Sequence, residues 1–133
     1  MTSPPHRKHG GPVRVLAVDD GAAFRNAAAD MIAHTAGFEV AGESTDGESA
    51  VRLACELDPD LILLDVRMDG IDGIETARRL AAESPTRLVV LVSSGDVQRL
   101  SEAAGRAGAA AIMRKHWLSP RVLRGLWIAL RRR

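Results

Sequence analysis

Leu61-Ile62-Leu63-Leu64-Asp65 is an unbroken apolar run closed by a carboxylate, and its reading decides the fold. Successive side chains of a strand point to opposite faces, so such a run predicts a strand covered on both sides. Val13 to Val18, Phe38 to Ala41, Leu88 to Val92 and Ala110 to Met113 read as strands on the same grounds. Between them apolar residues recur at helical spacing: Phe24, Ala27, Ala28, Met31 and Ile32; Ala50, Val51, Ala54 and Leu57; Ile74, Ala77, Leu80 and Ala81; Val97, Leu100, Ala104 and Ala107. A last helix is predicted after Ser119-Pro120, a capping residue followed by a first-turn proline, and carries Val122, Leu123, Leu126, Trp127 and Leu130. Strict alternation of strand and helix implies parallel strands joined by right-handed crossovers, hence a doubly wound three-layer α/β sandwich.

The 133 residues suit one domain, expected over 13–133. Residues 1–12, rich in Pro, Gly and cationic groups, are expected to form a disordered tail because they offer little apolar surface to offset ordering entropy. A formal net charge of +1, with basic residues gathered at the ends (Arg7, Lys8, Arg131, Arg132, Arg133), speaks against direct nucleic acid binding. No apolar run approaches the roughly 20 residues of a membrane span, and the start lacks a signal peptide's apolar stretch, so a cytoplasmic protein without a membrane partner is expected. The single cysteine, Cys55, excludes an internal disulfide and is expected to be a small buried apolar side chain. His34 reads as a surface or helix-end residue, since no second metal ligand is spaced for it, and His6 and His9 fall in the tail.

In open α/β sheets, ligands bind beyond the carboxyl ends of the strands. Those ends are polar here: Asp19-Asp20 after the first strand, Asp65 after the third, Ser93-Ser94 after the fourth and Lys115 after the fifth. Taken singly, such residues cap helices, turn chains or face solvent; jointly, at four strand ends, they point to a site. Clustered carboxylates repel unless a cation lies between them, and a site of few carboxylate oxygens with room for phosphate suits Mg2+ better than calcium. With that charge neutralised, Asp65 is placed to act as a nucleophile toward phosphorus, Lys115 to bond the phosphoryl oxygens and Ser93 to form a bond absent before modification.

The segments Val15-Leu16-Ala17-Val18-Asp19-Asp20, Leu61 to Gly73, Val90-Leu91-Val92-Ser93-Ser94 and Lys115 resemble the receiver domain of two-component response regulators, over roughly residues 13–130. The resemblance implies a flavodoxin-like (βα)5 sandwich with sheet order 2-1-3-4-5. It implies Asp65 as the phosphoacceptor, Asp20 as a direct metal ligand, Asp19 as a contributor through water and Arg67 as the donor of a backbone carbonyl to the metal. It implies Ser93 as the switch residue, Lys115 as the phosphoryl-binding lysine, a sensor histidine kinase as phosphodonor and a downstream protein partner.

The sequence departs from the family pattern at Ile112, where many relatives carry an aromatic residue that turns inward, so coupling to the output surface would be built differently. His116 stands where many relatives have proline, which disfavours a cis peptide there, and Asp69 replaces a common proline and reads as a turn residue. The readout is expected around the fourth helix, fifth strand and fifth helix. There Ile128 should point away from the sheet and mark a partner or homodimer surface, while Trp117 and Trp127 read as core or edge packing. Two other readings stay open: a degenerate receiver acting as an unphosphorylated protein-binding module, and a small hydrolase using an aspartyl-phosphate intermediate.

Overall fold

The computed structural model describes residues 11–67, 72–95 and 97–131. The expectations for His6, Arg7, Lys8, His9, Asp69, Arg132 and Arg133 lie outside the described residues. In chain order the elements are β1 (Val13–Val18), α1 (Ala22–Ala33), β2 (Phe38–Ser44), α2 (Gly47–Leu57), β3 (Leu61–Asp65), α3 (Gly73–Glu83), β4 (Leu88–Ser93), α4 (Val97–Arg106), β5 (Ala111–Arg114) and α5 (Pro120–Leu130). A single turn of 3-10 helix, Lys115–Trp117, joins β5 to α5.

The five strands form one parallel sheet in the order β2-β1-β3-β4-β5, the order that the sequence resemblance implied. Strand alternation sorts the core into two layers. On one face Leu16, Val18, Ile62, Leu64, Val89 and Leu91 pack with Ala50 and Ala54 of α2, Ala77 and Leu80 of α3, and Ala104 of α4. On the other, Val13, Val15, Leu61, Leu63 and Val90 pack with Ile32 of α1 and Leu123 of α5. The run that decided the fold is therefore split residue by residue between the layers, which is why all of it had to be apolar.

Helix starts follow from capping chemistry. Asp46 accepts the Ser49 amide, Asp72 the Glu75 amide and Ser119 the Val122 amide, each satisfying one of the donors a helix leaves free at its first turn. The α1 helix has no side-chain cap at Gly21. Four strands run beyond the expected ends: β2 continues to Ser44, β3 takes in Asp65, β4 takes in Ser93, and β5 spans Ala111–Arg114 instead of Ala110 to Met113.

Three expectations fail on side-chain direction. Cys55 is exposed, because α2 turns Ala50 and Ala54 to the sheet and the next residue around the helix falls about 100° away. Ala27 is exposed while its neighbour Ala28 is buried, for the same reason. Trp117 is 60% exposed, since the 3-10 turn carries it off the end of the sheet, whereas Trp127 packs against the α1/α5 layer as expected. Ile128 does point outward, at 43% exposure, and His34 is the exposed C-cap of α1. No described helix is long and apolar enough to cross a membrane.

Candidate metal and phosphoryl site

Strand order places the site. Neighbours β1 and β3 are linked to helices on opposite faces, so their carboxyl ends border a crevice that no crossover fills. Val18 is paired with Leu64, which sets Asp19, one residue on, beside Asp65. Oxygens of Asp19, Asp20 and Asp65 lie within 4.8 Å of one another. Asp19 and Asp65 are buried, at 2% and 5% exposure, and Asp20 faces solvent.

Each buried acid is fixed by backbone. Asp19 donates its amide to the Ser44 carbonyl, and its Oδ1 accepts the Gly21 amide at 2.7 Å. Asp65 accepts a hydrogen bond from the Arg67 amide. Behind it, the Val66 amide bonds the Val92 carbonyl and the Gly73 amide bonds the Val66 carbonyl, tying the loop to the sheet. Gly73 admits this closure because it lacks a side chain: a Cβ there would lie 2.3 Å from the Asp65 carbonyl oxygen and 2.6 Å from Val66 Cα.

Lys115 enters from the other side on the 3-10 turn. Its Nζ is 2.5 Å from Asp19 Oδ2 and 3.5 Å from Asp65 Oδ1. Asp19 Oδ2 is buried and has no hydrogen-bond partner, so its close contact with the Lys115 ammonium holds it as an ion pair. Burial, then the negative charge of Asp19, pushes the Asp65 carboxyl above its ordinary range, and Lys115 and the Arg67 amide only partly offset this. Burial works to lower the Lys115 ammonium, but its close contact with Asp19 and the charges of both acids prevail, and its net shift is upward. Three carboxylates facing one ammonium leave a surplus of two negative charges, and with an all-oxygen donor set and a buried, poorly bonded oxygen the cluster fits a divalent hard cation.

Ser93 is buried at the end of β4, where its Oγ accepts the Gly95 amide at 3.0 Å. Beside it a small cavity of about 90 Å3 is lined by Val66, Arg67, Ser93, Arg99 and Leu100. Ile112 is half-buried against the α2/α3/α4 layer. No cis peptide occurs among the described residues, in line with His116 after Lys115. A cavity of about 710 Å3 lies near Asp60, Pro85, Arg87 and Trp127, away from the carboxylates.

Two neighbours of the site were not singled out in the sequence. Arg25 bonds the Asp19 carbonyl at 2.7 Å and pairs with Glu43 at 3.7 Å, bracing β1 against β2. Phe24, read as a core position of α1, instead places its ring centroid 4.8 Å from Lys115 Nζ. Its place in the first turn after Asp19-Asp20 was the available signal, because that turn starts at the mouth of the site.

The family model for the response regulator receiver domain matches residues 15–125. The chain is 39% identical over 105 residues to protein-glutamate methylesterase/protein-glutamine glutaminase 5 of Myxococcus xanthus, an alignment covering 78% of this chain and 30% of that protein. It is 35% identical over 113 residues to chemotaxis protein CheY of Thermotoga maritima, covering 85% of this chain and 93% of that one. The chain thus spans less than a third of the methylesterase's length and nearly all of the chemotaxis protein's. Among solved structures, the CheX-CheY-BeF3-Mg+2 complex from Borrelia burgdorferi contains a similar chain, with a TM-score of 0.78, 26% identity and 91% of each chain covered.

Proposed function

The chain belongs to the response regulator receiver domain family, and on that premise we propose that it is a two-component signalling switch in which Asp65 takes a phosphoryl group from a sensor histidine kinase. The observation that carries this reading is the convergence of Asp19, Asp20 and Asp65 with the Lys115 ammonium at the β1/β3 crevice. In the transfer, an Asp65 carboxylate oxygen forms a bond to phosphorus as the bond from phosphorus to the histidine nitrogen breaks. The imidazole leaves with that electron pair and retains one ring proton.

Burial prepares Asp65 for this role, because a carboxylate whose charge is poorly solvated gains by sharing it with an electrophile. Lys115 bonds the arriving phosphoryl oxygens as a compact cation. Asp20, Asp65 and the Arg67 carbonyl would hold magnesium, with Asp19 acting through water; when bound, the ion neutralises the acids and the developing phosphoryl charge. The presence of Mg2+ and BeF3 in the related Borrelia burgdorferi complex supports this assignment.

Ser93 spends its oxygen on the Gly95 amide but keeps its hydroxyl proton available. A phosphoryl group on Asp65 adds about −1.5 to −2 charge and new acceptor oxygens, toward which Ser93 donates, drawing the β4–α4 loop inward. Ile112 then repacks without an aromatic lever, and the change reaches the surface of α4, β5 and α5, where exposed Ile128 marks a site for a downstream partner or a second copy.

Incubation with acetyl phosphate and magnesium, followed by intact-mass measurement, tests the assignment. One phosphoryl group is gained by the wild type and none by Asp65→Asn. No Asp65-dependent gain with several donors would leave an unphosphorylated binding module as the better reading.

A further inference from the structure

Phe24 is half-buried in the first turn of α1, yet it belongs to neither apolar layer of the core. Its described aromatic contact is with a cation: Lys115 Nζ stands 4.8 Å from the ring centroid, inside the roughly 6 Å over which a ring face attracts an ammonium. Three negative faces therefore surround that ammonium, namely Asp19 Oδ2 at 2.5 Å, Asp65 Oδ1 at 3.5 Å and the ring. The two carboxylates change their charge or partners in the reaction proposed above. The negative face of the ring does not.

Resting on the phosphoacceptor reading, we propose that Phe24 is a positioning residue for phosphotransfer: its ring keeps the Lys115 ammonium over the Asp19–Asp65 pair, ready for the phosphoryl oxygens. A lysine side chain carries several free torsions, so an ammonium held only by acids would follow whichever oxygen is most negative. A ring fixed on a helix adds an anchor whose geometry is set by the fold. Leucine would match the apolar bulk but offer no π face, whereas tyrosine retains it.

The chain contains two lysines, Lys8 and Lys115, so lysine labelled with carbon-13 gives a side-chain spectrum simple enough to assign by Lys115→Met. In the full-length protein the Lys115 ε-protons should be shifted upfield by the ring current, the shift persisting in Phe24→Tyr and disappearing in Phe24→Leu. Initial phosphorylation by acetyl phosphate should slow about two- to fivefold in Phe24→Leu, the factor a partly exposed cation–π contact supports, and return to near wild type in Phe24→Tyr. An unshifted Lys115 signal in the wild type overturns the proposal. So does a Phe24→Leu rate equal to wild type while Asp65→Asn is inert, a result that leaves the phosphoacceptor reading standing. A wild type that gains no phosphoryl group defeats that reading, and the positioning role with it, even if the ring-current shift is present.

Discussion

Replacing Lys115 with Met keeps the aliphatic stem and removes the one ammonium that lies between two buried acids, 2.5 Å from Asp19 and 3.5 Å from Asp65. Breaking a fully buried pair from one side costs about 3–5 kcal/mol, because the remaining charge is left uncompensated. The Lys115 side chain is 22% exposed while those of Asp19 and Asp65 are 3% and 7%, so water recovers part of the loss and about 2–4 kcal/mol is expected at pH 7. With a urea m-value of about 1.5 kcal/mol/M, the unfolding midpoint falls by about 1–3 M. The pH dependence provides a second check. Without Lys115, Asp65 loses an influence that lowers its pKa, and its already raised value rises further. A carboxyl raised in the folded state takes up its proton more readily there than in the unfolded chain, so it favours folding at low pH and loses that contribution as pH rises. The deficit of Lys115→Met should therefore shrink as pH falls through the carboxyl range. At the alkaline end, the raised ammonium of the wild type keeps its stabilisation below the unfolded lysine value of about 10.4 and loses it only as pH climbs through the folded value. Urea titrations of both proteins from pH 4.5 to 9 read the acid-side effect directly and should show no alkaline loss within that range. An equal deficit throughout, or none, would refute the account of the charge cluster.

Asp65→Asn should raise the urea midpoint at neutral pH even though it abolishes phosphorylation, because burial and Asp19 make the Asp65 charge unfavourable; the gain should vanish as pH falls below the unfolded carboxyl range. Magnesium should stabilise the wild type by about 1.4 kcal/mol at ten times its Kd, with a clearly smaller rise in Tm for Asp20→Asn, and a thermal titration lacking that difference would remove Asp20 from the ligand set. Gly73→Ala should cost about 1–3 kcal/mol in urea and slow phosphorylation, since its Cβ meets backbone atoms of Asp65 and Val66 that cannot swing aside. Wild-type stability in that variant would show that the loop behind Asp65 has room to move.

The sheet was legible because its signal is redundant: four residues of the third strand had to be apolar once both faces were covered, and each layer confirms half of them. The polar rim was legible because strand ends fix position without reference to rotamers: Asp19, Asp65 and Ser93 follow from register, and Lys115 is the residue after β5. Legibility fades where direction depends on a neighbouring element. Ala27 and Cys55 are too small and weakly polar for their helices' periodicity to orient them, and both turned outward. Trp117 follows β5 by a 3-10 turn that nothing in its neighbours foretold, and it emerged into solvent. Phe24 is the instructive case. Periodicity assigned it to the core as an apolar residue in register, but a first-turn position overlooks the end of the sheet, where an ammonium meets its ring. The same side chain satisfies either environment, since a ring offers apolar area and a negative face at once. Only the placement of Lys115, delivered from the far end of the chain by β5, decides between them.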